Sequence, residues 1–228
     1  MPTIFEVYNN ISYSPVCISD FGFSCFIKEA GLLFDFGAKE DILIKNLNSL
    51  GIGLDDIKAV FLSHDHWDHN GGLNVLTKFS SCKKAFALDS FSEKTLDILS
   101  ENTYLHIVSE WEEIMPGIFS TGPLGEDIPE QSAAVRTGDE YTVVCGCSHP
   151  HIGNILSFVR KKGTVGALIG GLHDVSDEDL DSLSKISYLA PSHCTKRLSE
   201  IESLFPGSFR RGGAGCLHNL KRCSDNRQ

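Results

Sequence analysis

Long apolar runs are missing from this sequence: none approaches the roughly 18 residues that a membrane-spanning helix requires, so a membrane protein is not expected. The opening stretch, MPTIFEVYNNISYS, has neither the basic start nor the continuous apolar segment of a secretory signal, and the expectation is a cytoplasmic protein. Basic residues are in short supply, 20 against 30 acidic ones, for a formal net charge of −10. A field of that sign repels polyanions, so the expected partner is a small molecule and not nucleic acid. Repeats, low-complexity tracts and long linkers are also lacking, which points to one domain over residues 1–228 with no feature that specifies an oligomeric state.

Eight cysteines are present: Cys17, Cys25, Cys82, Cys145, Cys147, Cys194, Cys216 and Cys223. They are scattered over a chain that is 41% hydrophobic and large enough to fold without staples. Reduced thiols are therefore expected instead of a disulfide framework.

Strand-like runs open the chain over 3–8, 23–29 and 32–36, the last two separated by a turn at Gly31. Apolar residues at Ile42, Leu43, Leu47 and Leu50 follow a helical spacing over 39–50, with Gly51 as a stop. A short apolar strand over 58–62 leads into a histidine-rich segment. Beyond it the pattern predicts a helix over 71–78, a strand over 85–88 and a helix over 92–100. The second half predicts strands over 141–145, 165–169 and 186–190, alternating with helices over 151–162, 176–183 and 196–204. Ser176 with the acidic residues after it makes a capping signal for the helix over 176–183. Strands first and β/α alternation later suit two packed sheets with helices outside.

The decisive stretch is Ser63-His64-Asp65-His66-Trp67-Asp68-His69-Asn70-Gly71-Gly72. It sets three imidazoles and the carboxylate of Asp68 within six residues, with Asp65 between the first two histidines, directly after a buried-type strand. Imidazole nitrogen and carboxylate oxygen suit zinc, iron or manganese. In extended backbone His64 and His66 share a side, because side-chain direction repeats every second residue. Asp68 and His69 follow the turn, where they can be aimed at a second ion.

This His-x-His-x-Asp-His run resembles the signature of the metallo-β-lactamase superfamily. LLFDFG over 32–37 is similar to the family's early strand ending in Asp-x-Gly. VVCGCSHPHIGNIL, ALIGGLHD and LAPSHCT resemble a branch labelled dihydropterin–ribofuranosylaminobenzene-phosphate synthase-like. The resemblance implies an α/β fold, a four-layer αββα sandwich of two mixed sheets with helices outside. It also implies two metal sites, His64, His66 and His149 for one ion, and Asp68, His69 and His193 for the other. Two divalent cations are expected, zinc first, with iron or manganese as alternatives. One departure stands out: the family's bridging aspartate has no counterpart at the end of the strand over 167–171. Leu172, His173 and Asp174 follow instead, so Asp174, His173 or a bridging hydroxide would take its place.

Asp35 is expected either to accept a hydrogen bond from a ligand histidine or to bond turn backbone, two roles that are compatible. Trp67 is expected to pack as a wall of the site. Cys145 and Cys147 lack the paired C-x-x-C spacing of structural zinc sites, and soft thiolates are not required beside six harder ligands. Cys194, beside His193, reads as a small buried side chain or as one that approaches the metals. Arg210 and Arg211, ahead of a glycine-rich turn, are candidates for gripping phosphate or carboxylate, or else solvated arginines before a last strand. His106, His151 and His218 lack supporting neighbours in the sequence, and only His151 is close enough to His149 to line a pocket.

The expected activity is metal-dependent hydrolysis of a small ester or phosphoester by a metal-bound hydroxide, with a pterin- or sugar-phosphate-related substrate implied by the branch. Asp68 and His173 are the candidates for passing a proton to the leaving group. Two other classes stand beside it: a diiron redox or oxygen-handling protein, and a non-catalytic ligand-binding relative.

Overall fold

The computed structural model describes residues 2–220, so Cys223 lies outside the described part. Along the chain run β1 (Thr3–Tyr8), β2 (Ser24–Ile27), β3 (Leu32–Phe34), α1 (Glu40–Ser49), β4 (Ala59–Phe61), α2 (Trp67–Asn70), β5 (Lys84–Ala87) and α3 (Glu93–Asn102). After them come β6 (Tyr104–Ile107), β7 (Glu112–Met115), β8 (Ile118–Ser120), β9 (Ala133–Thr137), β10 (Glu140–Cys145) and α4 (Ile152–Arg160). The chain continues through β11 (Thr164–Gly171), α5 (Asp177–Leu183), β12 (Tyr188–Ser192), α6 (Leu198–Leu204) and β13 (Leu217–Asn219). They build a seven-stranded sheet in the order β13-β1-β2-β3-β4-β5-β6 and a six-stranded sheet in the order β12-β11-β10-β9-β8-β7. Both sheets are mixed, as expected: β3 to β6 run parallel in one and β10 to β12 in the other.

Strand periodicity explains how the layers meet. Val144 packs into the core shared by the two sheets, whereas its neighbours Val143 and Cys145 belong to a second core under the outer helices. That second core takes Ile155, Leu156 and Val159 of α4, Leu180 and Leu183 of α5, and Ile201 of α6. A register shift beside β10 lets Val165 and Ala167 on β11 face opposite cores despite their two-residue spacing.

The helix expected over 71–78 is not formed as such. The structure has the four-residue α2 and then a 3₁₀ segment over Leu73–Lys78. Gly71 and Gly72 part them because both pass under the Phe36–Ala38 backbone, where a Cβ on Gly71 would lie 2.3 Å from the Ala38 carbonyl. Strand β13 is the last strand offered as one reading after Arg210 and Arg211, whereas β6 to β9 fall outside the expected strands. All five are short, β6 breaks its apolar residues with His106, and β7 opens on two glutamates, so neither carries an apolar run of strand length. Among the described residues all seven cysteines are free, and no helix is long and apolar enough to cross a membrane.

His218, without visible partners in the sequence, acquires them through β13. Its Nε2 donates to Glu6 Oε1 of β1 at 2.8 Å, and its Nδ1 shares a 2.7 Å hydrogen bond with Tyr188 Oη of β12. Burial opposes charge on this imidazole, but hydrogen bonding with Cys216 and Glu6 and the Glu6 charge outweigh it, so its pKa lies well above the ordinary histidine value. A group raised on folding stabilises fully below its unfolded pKa of about 6.5, and that stability is lost as pH climbs through the raised value. Urea unfolding across the neutral-to-alkaline range should therefore show a loss of stability that His218→Gln removes; identical pH profiles would contradict this.

Candidate metal centre

The carboxyl ends of β3, β4, β10, β11 and β12 open onto one rim, and the chemistry-bearing residues follow those ends. Asp35 comes directly after β3, His64 three residues after β4, Cys147 and His149 after β10, His173 after β11, and His193 after β12. Three non-glycine residues in this group hold left-handed backbone: Asp35 (φ 54°), Ser148 (φ 60°) and His193 (φ 51°). Such conformations are costly and concentrate where a side chain must be aimed.

Two triads result. The ring centroids of His64 and His66 lie 4.6 Å apart, and each is 4.9 Å from that of His149. Beside them stand Asp68, His69 and His193, with His193 Nε2 3.2 Å and His69 Nε2 3.8 Å from Asp68 Oδ2. Within each triad the candidate ligand atoms are all within 4.8 Å of one another, so either group could hold a metal ion. His64 and His69 are also adjacent, at 4.2 Å between centroids, so the triads adjoin.

Hydrogen bonds to the other ring nitrogens fix how the imidazoles point. Asp35 Oδ2 accepts from His69 Nδ1 and from Ser63 Oγ, both at 2.7 Å, and its Oδ1 accepts the Ser63 backbone N–H at 2.7 Å. Since the Ser63 hydroxyl proton goes to Asp35, its oxygen accepts from His64 Nδ1 at 2.9 Å. His193 Nδ1 donates to Asn10 Oδ1 at 2.9 Å. In each neutral ring Nε2 is left with its lone pair facing the centre.

The centre's polar bookkeeping fits a cation. His64 Nε2 and His149 Nε2 are buried and have no hydrogen-bond partner among the described residues, a costly arrangement unless a ligand satisfies them. A lone pair on His193 Nε2 facing the Asp68 carboxylate is likewise repulsive without a proton or cation between. Burial, and then the neighbouring imidazoles, push His64 well below the ordinary histidine pKa and His149 down to about 4. Burial also opposes the charge of Asp68, but with a proton in place of a metal between it and His193, the hydrogen bond from His193 and the His69 and His193 charges hold its carboxyl below the usual range. The donor set is thus mostly neutral imidazole around one carboxylate. His69 differs: burial lowers it, yet the charge and hydrogen bond of Asp35 raise it overall.

Several residues at the centre escaped the sequence reading. Glu130 is buried and accepts the backbone N–H groups of Gly146, Cys147 and Ser148 at 3.0 Å on Oε1, and that of His149 at 2.9 Å on Oε2. It thereby shapes the loop carrying His149. Burial pushes its carboxyl up against the pull of those amides. Gly146 is required because a Cβ there would sit 2.2 Å from Ser63 Oγ. Asn10 and Ser63 lack any local pattern that singles them out. Cys147, not required as a ligand on softness alone, has its Sγ 3.1 Å from His69 Nε2.

Other candidates fall elsewhere. Asp174 is exposed, pairs with Lys196 and His173, and is in neither triad. His173 stands at the rim, 5.0 Å from the His149 ring. His151 turns towards Asp179, 3.1 Å away, and does not line the centre. Asp65 caps the approach to α3 through Ser92 and Thr95. Trp67 is exposed and stacks on Phe21, an outer lip and not a wall. Arg210 folds over Tyr188 and bonds the Gly207 and Phe209 carbonyls, away from the centre. Arg211 pairs with Glu202 and lines a cavity of about 210 Å³ together with Asn10, Ser192 and His193.

A model of the metallo-β-lactamase superfamily matches residues 25–88. The chain is 25% identical to 7,8-dihydropterin-6-methyl-4-(beta-D-ribofuranosyl)-aminobenzene-5'-phosphate synthase of Methanocaldococcus jannaschii, over 78% of this chain and 79% of the relative. It is 26% identical to an uncharacterized protein of the same organism, over 80% of this chain and 88% of that one. Among solved structures, a metal-dependent hydrolase of the β-lactamase superfamily superposes with a TM-score of 0.81 at 25% identity, covering 97% of this chain and all 100% of that one. A diphosphatase of the PhnP family shares the fold at a TM-score of 0.60 and 15% identity, covering 97% and 98% of the two chains. With the twin-sheet fold and the His-x-His-x-Asp-His turn at its rim, the chain has the metallo-β-lactamase fold and is similar to members of that superfamily.

Proposed function

We propose that this protein is a metal-dependent hydrolase of a small ester or phosphoester, with two divalent cations held by His64, His66 and His149 and by Asp68, His69 and His193. The observation that carries the reading is the pair of adjoining triads, with His64 Nε2 and His149 Nε2 buried and unpartnered. Divalent ions held there supply a nucleophile at neutral pH and a Lewis acid for the scissile group. Asp68, kept ionised by His193 and His69, acts as ligand and proton acceptor and is a poor acid. His173 at the rim is then the better placed donor for a leaving group, beside His149 and backed by Asp174 at 3.1 Å. Arg211 would meet an anionic substrate group in the cavity beside His193. A pterin- or sugar-phosphate-type substrate is supported by the name of the Methanocaldococcus jannaschii relative.

Elemental analysis of purified protein, paired with a panel of ester and phosphoester substrates, tests this reading. The expected result is transition metal approaching two ions per chain, and turnover that a chelator removes and added metal restores. Full activity in metal-free protein, or failure to take up any transition ion, would overturn it.

A further inference from the structure

The place of the missing bridging carboxylate is left open by Asp174, which faces solvent, and another group lies nearer the junction of the triads. Cys147 is buried, and its Sγ falls within 4.8 Å of the candidate ligand atoms of both His64 and His69. It forms a second cluster of the same tightness with His193 and Cys194. The thiol is therefore near one imidazole of the first triad and two of the second. His64, whose Nε2 is buried and unpartnered, shares the space that the thiol enters. The position of Cys147 is fixed from both sides: Glu130 holds its N–H, and its carbonyl accepts the His173 N–H at 2.8 Å.

Resting on the metal-centre reading above, we propose that Cys147 is a seventh ligand, binding metal as a thiolate where the two triads adjoin. Charge favours it. The six donors assigned above include a single anion, Asp68, against two divalent ions, and a thiolate at the junction adds the second negative charge. Coordination deprotonates a thiol, so the Sγ–H bond breaks, an Sγ–metal bond forms, and the proton leaves to solvent. Cys194 is the weaker candidate, since it clusters only on the His193 side and its Sγ approaches the Cys147 carbonyl at 4.0 Å. Cys145 points into the outer core, where its Sγ donates to the Ile169 and Gly171 carbonyls. A soft ligand at this point also biases the centre towards zinc over manganese.

Titration of the metal-free full chain with Co(II) tests the proposal without relying on turnover. Expected are visible ligand-field bands together with a near-ultraviolet thiolate-to-cobalt charge-transfer band in the wild type and in Cys194→Ser. Cys147→Ser should keep the ligand-field bands, lose the charge-transfer band and release one proton fewer per chain on cobalt uptake. Because Cys216 clusters with Glu6 and His218, the comparison is repeated with Cys216→Ser present. Ligand-field bands without charge transfer in the wild type, or a charge-transfer band that survives Cys147→Ser, would overturn ligation by Cys147 while leaving the centre intact. No cobalt uptake by the wild type would overturn the centre and the thiolate together. Should Cys147→Ser not fold, the Cys194→Ser, Cys216→Ser protein decides: a retained band supports Cys147 and a lost band refutes it.

Discussion

Replacing His149 with alanine should, on the proposed metal-dependent hydrolysis, leave the chain folded but without the first of the two cations, and lower turnover on the order of a thousandfold. The magnitude follows from losing several kcal/mol of charge stabilisation, at about 1.4 kcal/mol per factor of ten. His149 is suited to the experiment because it contributes a donor without belonging to either apolar core. Its Nε2 is buried and unpartnered, an arrangement that costs the metal-free protein about 1–3 kcal/mol. Alanine removes that cost. Metal-free His149→Ala should therefore melt at or above metal-free wild type, while the rise in Tm that metal gives the wild type shrinks in the variant. Melting curves with and without zinc check both halves, and an undiminished zinc-dependent rise in the variant would remove His149 from the ligand set.

Asp35→Asn should weaken metal binding by about 10–100-fold and unfolding stability by about 3 kcal/mol, although Asp35 touches no candidate metal position. All three groups that the Asp35 carboxylate bonds are donors: the Ser63 N–H, the Ser63 hydroxyl and His69 Nδ1. Asparagine has one acceptor oxygen, so its amide must confront one of those donors in a fully buried place. Backbone strain does not confuse the result, because asparagine tolerates the left-handed conformation of Asp35 better than most residues. Competition titration against a chromogenic chelator gives the affinity, and urea unfolding of metal-free protein gives the stability. Unchanged values in both would mean that the imidazoles are aimed by packing alone.

What the sequence disclosed follows from how local each signal is. His64, His66, Asp68 and His69 lie within six residues after a strand, so their grouping is legible before any folding. Strands such as β1 and β10 coincide with their apolar runs over 3–8 and 141–145. His149 and His193 needed the family resemblance, since nothing in their neighbourhoods says that the loops after β10 and β12 meet. Glu130 and Asn10 act across 16 and 183 residues of sequence, which no spacing rule reaches. Arg210 illustrates the opposite error: a guanidinium beside glycines suggested anion binding, but tertiary packing gave it the Tyr188 ring and two carbonyls. Cys147 was discounted on ligand softness, an argument that is silent about where the loop places a thiol.

Asp35 holds His69 directly and His64 through Ser63, so a single carboxylate aims one imidazole of each triad. On the proposed reading, the two cations are then not independent guests. The first to arrive pins its imidazole, and through the shared carboxylate it stiffens the imidazole awaiting the second, whose ordering cost falls. Uptake should accordingly be cooperative, and by reciprocity the loss of either ion loosens the grip on the other.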